Sequence, residues 1–239
     1  MNGKELEYKI ISFCEANKNE VRIEQNKRFF KNGEFQGYGL AAPQIYDEIK
    51  NLLKMPGMSL DLALEVAPNL LASKMYEPIT MGLLLVNAFG KQYSKSLFHE
   101  MNKWYSFTIH NWAHADTMGM FILPQFVQYK MITYVDFAPW LTSKYKFQRR
   151  SVPVTLIKLL KSKTIDDFNP IFNFLEPLMT DPEREVHQGM GWFLREAWKL
   201  KPDQTEPFLL KWKDTAPRLI INYATEKMTK EQKIKFKKA

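Results

Sequence analysis

Apolar residues recur at helical spacing almost from end to end of this chain, and no stretch of useful length alternates as a half-buried strand must. The pattern predicts helices over 6–16, 20–30, 43–53, 60–71, 79–89, 97–104, 110–126, 131–141, 147–160, 165–178, 183–200, 205–213 and 218–225. Thr108-Ile109 and Met131-Ile132-Thr133-Tyr134-Val135 are β-prone, but each is short and isolated. Punctuation supports the joints. Pro43 and Pro78 stand where a helix can accept a residue without an N–H, Pro56-Gly57 breaks the chain, and Ser59 is placed to cap the helix from Leu60 onward. The fold class expected is all-α.

Within that class, a weak internal period selects the architecture. Glu77, His114, Arg150 and Gln188 lie 37, 36 and 38 residues apart, each a polar group at the head of a helix that then turns apolar. A helix pair every 35–45 residues or so is the spacing of HEAT-like and armadillo-type repeats, which stack into an α-α superhelix. Corresponding positions of successive repeats line one concave face, so Asp116, Arg150 and Trp192 are expected to converge. The organisation expected is one HEAT-like repeat domain over 1–239, with 226–239 a Lys-rich C-terminal tail.

The 239 residues, 45% of them hydrophobic, suffice for a sizeable core or a repeat array. A lone cysteine, Cys14, excludes an intrachain disulfide and suggests a reducing compartment. The N-terminus, Met1 to Glu7, is charged and does not read as a signal peptide. The longest apolar run, 81–90, is too short to span a bilayer, so a cytoplasmic protein with no membrane partner is expected. The net charge of +8 lies entirely in residues 141–239, with 20 Lys+Arg against 12 Asp+Glu, whereas residues 1–140 hold 14 of each. Such asymmetry points to a polyanion on one side of the molecule.

The densest chemistry is at Ile109-His110-Asn111-Trp112-Ala113-His114-Ala115-Asp116-Thr117-Met118-Gly119. Trp112 and Asp116 stand one helical turn apart and share a face. An acid among Trp, Met and Phe is either a helix cap before Thr117 or a working carboxylate. His110 and His114, at i and i+4, resemble half of a metal site, but Asn111 replaces the Glu of a metalloprotease helix and only Asp116 offers a third ligand, so no metal is expected. Nucleophile-elbow and glycine-rich phosphate-loop motifs are absent.

Three motifs carry a family resemblance. Asn111-Trp112-Ala113-His114-Ala115-Asp116 looks like a Trp-x-x-x-Asp signature; Gln148-Arg149-Arg150 heads an apolar helix; and Gly189-Met190-Gly191-Trp192-Phe193-Leu194-Arg195-Glu196 is similar to Gly-Trp-x-Leu-Arg-Glu. In these, and in their order and separation from about Phe35 to Tyr223, the chain resembles the AlkD-like DNA alkylation repair proteins, HEAT-like-repeat DNA glycosylases. The resemblance implies a helical solenoid holding duplex DNA, excision of cationic N3- and N7-alkylated purines without base flipping, and no metal or cofactor. Arg150 fits the family's catalytic-face arginine better than Arg149. The chain departs from the family at Ala41-Ala42, where active members tend to carry a Gln, and at His114, where small or polar neighbours are usual.

On this reading Asp116 stabilises an oxocarbenium-like sugar and orients water, while Trp112 and Trp192 present π faces to the lesion. Arg150 holds a phosphate, and Arg149, Lys146 and Lys158 add to a salt-dependent backbone grip. The partner is double-stranded DNA with alkylated purines, and a monomer is expected. The alternative is a non-catalytic HEAT-repeat DNA binder or protein scaffold of the same family.

Overall fold

The computed structural model describes residues 1–30, 35–161 and 165–238. Among them there is no strand. Fourteen α-helices are joined by short 3-10 segments and turns: α1 (Gly3–Ala16), α2 (Glu20–Lys27), α3 (Ala42–Leu53), α4 (Leu60–Ala72), α5 (Tyr76–Asn87), α6 (Lys95–Trp104), α7 (Trp112–Thr117), α8 (Leu123–Gln128), α9 (Lys146–Lys161), α10 (Asn169–Leu175), α11 (Arg184–Leu200), α12 (Pro202–Trp212), α13 (Arg218–Ala224) and α14 (Lys230–Ile234). The all-helical repeat class read from the sequence is the class found. No helix among the described residues is long and apolar enough to cross a membrane.

The contacts group into two compact units, Met1–Ile109 and His110–Ala239. In the first, α4 and α5 pack on each other and on α1, and α3 packs on α5. Ser59 caps α4 as expected, accepting from the Leu62 N–H at 3.2 Å. Cys14 is fully buried with its Sγ 3.8 Å from Met81 Sδ, and burial pushes its thiol up to about 12, which makes it an inert core thiol. Glu77 is also fully buried. Its carboxylate accepts from three consecutive backbone N–H groups, those of Tyr38, Gly39 and Leu40, at 2.7, 2.8 and 3.1 Å. Gly39 has φ +75, which aims these amides inward and which a side chain would resist. Ala41 ends this loop as the residue before α3, with its N–H bonded to the Gln44 side chain at 2.8 Å.

In the second unit a row of helices forms the spine. α7 packs on α9, α9 on α11, and α11 on α13, with α12 lying against α11. Their first residues, Trp112, Lys146, Arg184 and Arg218, are separated by 34, 38 and 34 positions, so the repeat inferred from polar residues is a repeat of backbone elements. Cross-links recur at the same interval: Arg150 to Asp116, Ser151 to the Ala115 carbonyl, Gln188 to Tyr223, and the Phe168 N–H to Gln204.

Two details differ from the sequence reading. The helix expected over 131–141 is a 3-10 segment, Tyr134–Trp140, opened by a Thr133–Asp136 capping box and with Pro139 inside it. The helix expected over 110–126 starts at Trp112, capped by Asn111, and is interrupted by a π-turn at Met118–Ile122 before α8 resumes. There the Leu123 N–H reaches five residues back to the Met118 carbonyl. In an even α-helix the Pro124 ring would meet the Met120 carbonyl; the wider turn relieves that clash. The Lys-rich segment from 226 on holds α14, and its Phe236 is 1% exposed.

Candidate active site and nucleic-acid interface

All the residues expected to act on DNA fall in the unit His110–Ala239. Asn111 starts the site by accepting from the His114 N–H at 2.9 Å, which fixes the first turn of α7. That turn sets Trp112 at the helix entrance, 36% exposed, with Asp116 directly above it on the same face. Asp116 is therefore inside the helix and caps nothing.

Its partner is Arg150 of α9. The guanidinium donates from Nε to one Asp116 oxygen at 2.8 Å and from Nη2 to the other at 2.7 Å, a bidentate pair whose side chains are 6% and 15% exposed. A third donor, Nη1, reaches the Glu185 carbonyl at the start of α11 at 2.6 Å. One side chain thus ties α7, α9 and α11 together. Burial pushes the Asp116 carboxyl above its ordinary value, and the Arg150 guanidinium pulls against that rise.

Glycines let the helices come this close. A Cβ on Gly189 of α11 would crowd the Arg150 side chain at 3.2 Å, and one on Gly119 in the π-turn would meet Val154 inside contact distance. Ser151 adds a hydrogen bond to the Ala115 carbonyl at 3.1 Å. Trp192 lies three residues beyond Gly189, on the neighbouring helical face, and is half-buried. Gln188, one turn before it, donates to the Tyr223 hydroxyl at 3.2 Å, and Tyr223 in turn packs over Gly191. Tyr223 was not singled out by its residue type, although its 35-residue distance from Gln188 matches the repeat.

The basic residues divide. Arg150 was expected on a phosphate; the structure gives its fork to Asp116 and leaves two of its five N–H groups without a partner in the described residues. Arg149, expected as a second phosphate contact, is folded into another buried pair. It donates to Asp181 at 2.5 and 3.1 Å and to the Ser143 carbonyl at 2.5 Å, so its charge is used inside the protein. Lys146 reaches Glu185 at 3.0 Å and Glu183 at 3.5 Å while remaining 36% exposed. Burial works against its charge, but the two carboxylates more than offset this and hold its pKa above the usual lysine value. Lys158 points to solvent.

His110 lies outside α7, so it does not share a helical turn with His114; the latter is 1% exposed with Nδ1 2.9 Å from the Asn111 amide nitrogen. Among the described residues no group of three His, Cys, Asp or Glu is placed to hold a metal ion.

Known proteins share this architecture. A solved structure described as a predicted DNA alkylation repair enzyme from Enterococcus faecalis matches with a TM-score of 0.70 at 15% identity, covering 90% of this chain and 98% of that one. At that identity the likeness speaks for the fold. No curated protein matches the chain. The model of a family described as DNA alkylation repair enzyme matches residues 11–228, which include the Trp112–Asp116 turn, Arg150 and Trp192; the chain belongs to the DNA alkylation repair enzyme family.

Proposed function

We infer that the chain is a DNA glycosylase for cationic N3- and N7-alkylated purines in duplex DNA. The observation that carries this is the Asp116 carboxylate, held by Arg150 at 2.8 and 2.7 Å one turn above the exposed Trp112 indole.

An alkylated purine already carries a positive charge. When its glycosidic bond breaks, the bonding pair moves to the ring nitrogen and neutralises it, so no general acid is needed. What develops is positive charge on the sugar, and a buried carboxylate stabilises that charge far better than water does. Asp116 fills this role and orients the water whose oxygen bonds to the anomeric carbon, with the water proton leaving to solvent. Its anti lone pairs remain open because Arg150 occupies two of roughly four acceptor positions. Trp112 and Trp192 offer π faces to the same developing cation. Arg150 positions Asp116 and has two N–H groups left for a phosphate oxygen; Lys146 and Lys158 supply the salt-dependent grip on the backbone.

The test is incubation of purified protein with N-methylated duplex DNA and measurement of released bases. Release of N3-methyladenine or N7-methylguanine by the wild type and its loss in Asp116→Asn are expected. Salt-sensitive DNA binding without release by the wild type would leave the chain a binder and sink the enzymatic reading.

A further inference from the structure

The segment 226–239 carries six Lys against two Glu, yet it is built as a fixed element. Thr229 caps α14 through the Gln232 N–H at 3.3 Å, and the Gln232 side chain accepts from the Thr229 N–H at 2.8 Å. Met228 and Phe236 are buried on either side of the helix, and Arg218 of α13 donates to the Phe236 carbonyl at 2.7 Å. Lys235 is tied to Glu206 of α12, Lys227 to the Glu226 carboxylate, and Lys233 to the Glu226 carbonyl. Three lysines are left over. The side chains of Lys230, Lys237 and Lys238 are exposed, and their ammonium groups have no hydrogen-bond or ion-pair partner among the described residues.

A mobile Lys-rich tail would spread out to relieve its self-repulsion. Here a buried aromatic and a ring of internal bonds do the opposite and keep three unpaired ammonium groups within one short stretch of backbone. Holding like charges together is favourable when a partner of dense opposite charge covers them. Duplex DNA carries about one negative charge per 1.7 Å of its axis, and each phosphate neutralised releases condensed counterions.

We propose that Lys230, Lys237 and Lys238 form a second contact with duplex DNA, a clamp on the phosphate backbone built on α14, one helix beyond α13 and separate from the Asp116 site. It reads no sequence and touches no lesion; it adds grip. The proposal rests on the assignment of DNA as the partner.

The experiment compares the salt dependence of duplex binding by the wild type with that of the triple variant Lys230→Gln/Lys237→Gln/Lys238→Gln, with the melting temperature as the control for folding. The log–log slope of the variant should be shallower by about 2–3, at roughly 0.9 per lost phosphate contact, and the triple Lys→Arg variant should keep the wild-type slope. A variant slope equal to that of a salt-sensitive wild type overturns the clamp, including where the same substitutions instead abolish binding to vesicles of anionic lipid. A wild type that does not bind DNA overturns the assignment beneath it, and the clamp with it.

Discussion

Adjacent arginines of α9 make two ion pairs of nearly the same form in different surroundings. Arg149 grips Asp181, and Arg150 grips Asp116, each through Nε and Nη2. Asp181 also accepts from the Glu183 N–H at 2.8 Å, and its side chain is only 4% exposed. Its acceptor capacity is largely taken, in a place solvent hardly reaches. Asp116 is 15% exposed, takes no backbone donor among the described residues, and stands beside an indole open to solvent. On the proposed function Asp181 is a fastener and Asp116 a reagent, and the pairing alone does not distinguish them. What does is the acceptor capacity left after pairing and whether a second molecule can reach it.

The sharpest way to break this comparison is to remove each acid. Asp181→Ala leaves the Arg149 charge buried and should lower stability by about 3–5 kcal/mol in urea unfolding, the scale for breaking a buried pair. The intrinsic excision rate of the folded fraction should change little. Asp116→Asn should lower excision by about 10²–10³, the loss of one preorganised electrostatic contact with a developing charge. It should also destabilise the fold by about 1–3 kcal/mol, because Arg150 loses its counter-charge. Unaltered single-turnover excision in Asp116→Asn, or loss of excision in well-folded Asp181→Ala, would reverse the two roles.

The third prediction concerns pH. Burial raises the Asp116 pKa, so the folded state holds that proton more tightly than the unfolded chain does. The stability contribution of this group falls as pH rises from the ordinary Asp value through the raised one. On the proposed role of Asp116, excision should rise over the same window. Arg150→Met removes the group that opposes the rise and should move the acid limb of the pH–rate profile to higher pH. A limb that stays put in this variant would show that Arg150 does not govern the charge of Asp116. The smallest expected effect is at the cap. Asn111→Ala should cost about 1 kcal/mol in thermal unfolding and weaken the Trp112–Asp116 turn without touching the Asp181 pair.

Much of the fold was legible because helices announce themselves locally. The joints at Pro43, Pro56-Gly57, Ser59 and Pro78 and the spacing of Ile45, Ile49 and Leu52 need no tertiary information. The repeat was legible as spacing between polar residues, although its meaning changed: Glu77 proved to be an anchor for a backbone loop, and Gln188 a tie to Tyr223. Trp112 and Asp116 could be placed together because a single turn links them. That Arg150 faces Asp116, and Arg149 faces Asp181, could not be read, because two neighbours on a helix differ by about 100° in direction and only packing decides which acid each meets. The fixing of the C-terminal segment was hidden for a similar reason. Six lysines mask one Phe236, and a single buried ring has no periodicity.

The π-turn at Met118–Ile122 has a consequence for how this site could drift. An even helix is a screw of constant pitch, and this one has a single widened thread between α7, which carries Trp112 and Asp116, and α8. Such a thread takes up one extra residue locally, so the helix faces before and after it keep nearly the bearing they would have in an even helix one residue shorter. In an even helix the same extra residue would turn the Trp112–Asp116 face by about 100° against α8 and carry the carboxylate away from Arg150. Aligned relatives that lack one residue across 118–122 should therefore keep the Trp112–Asp116 face on an unbroken helix, provided no proline stands at the position of Pro124.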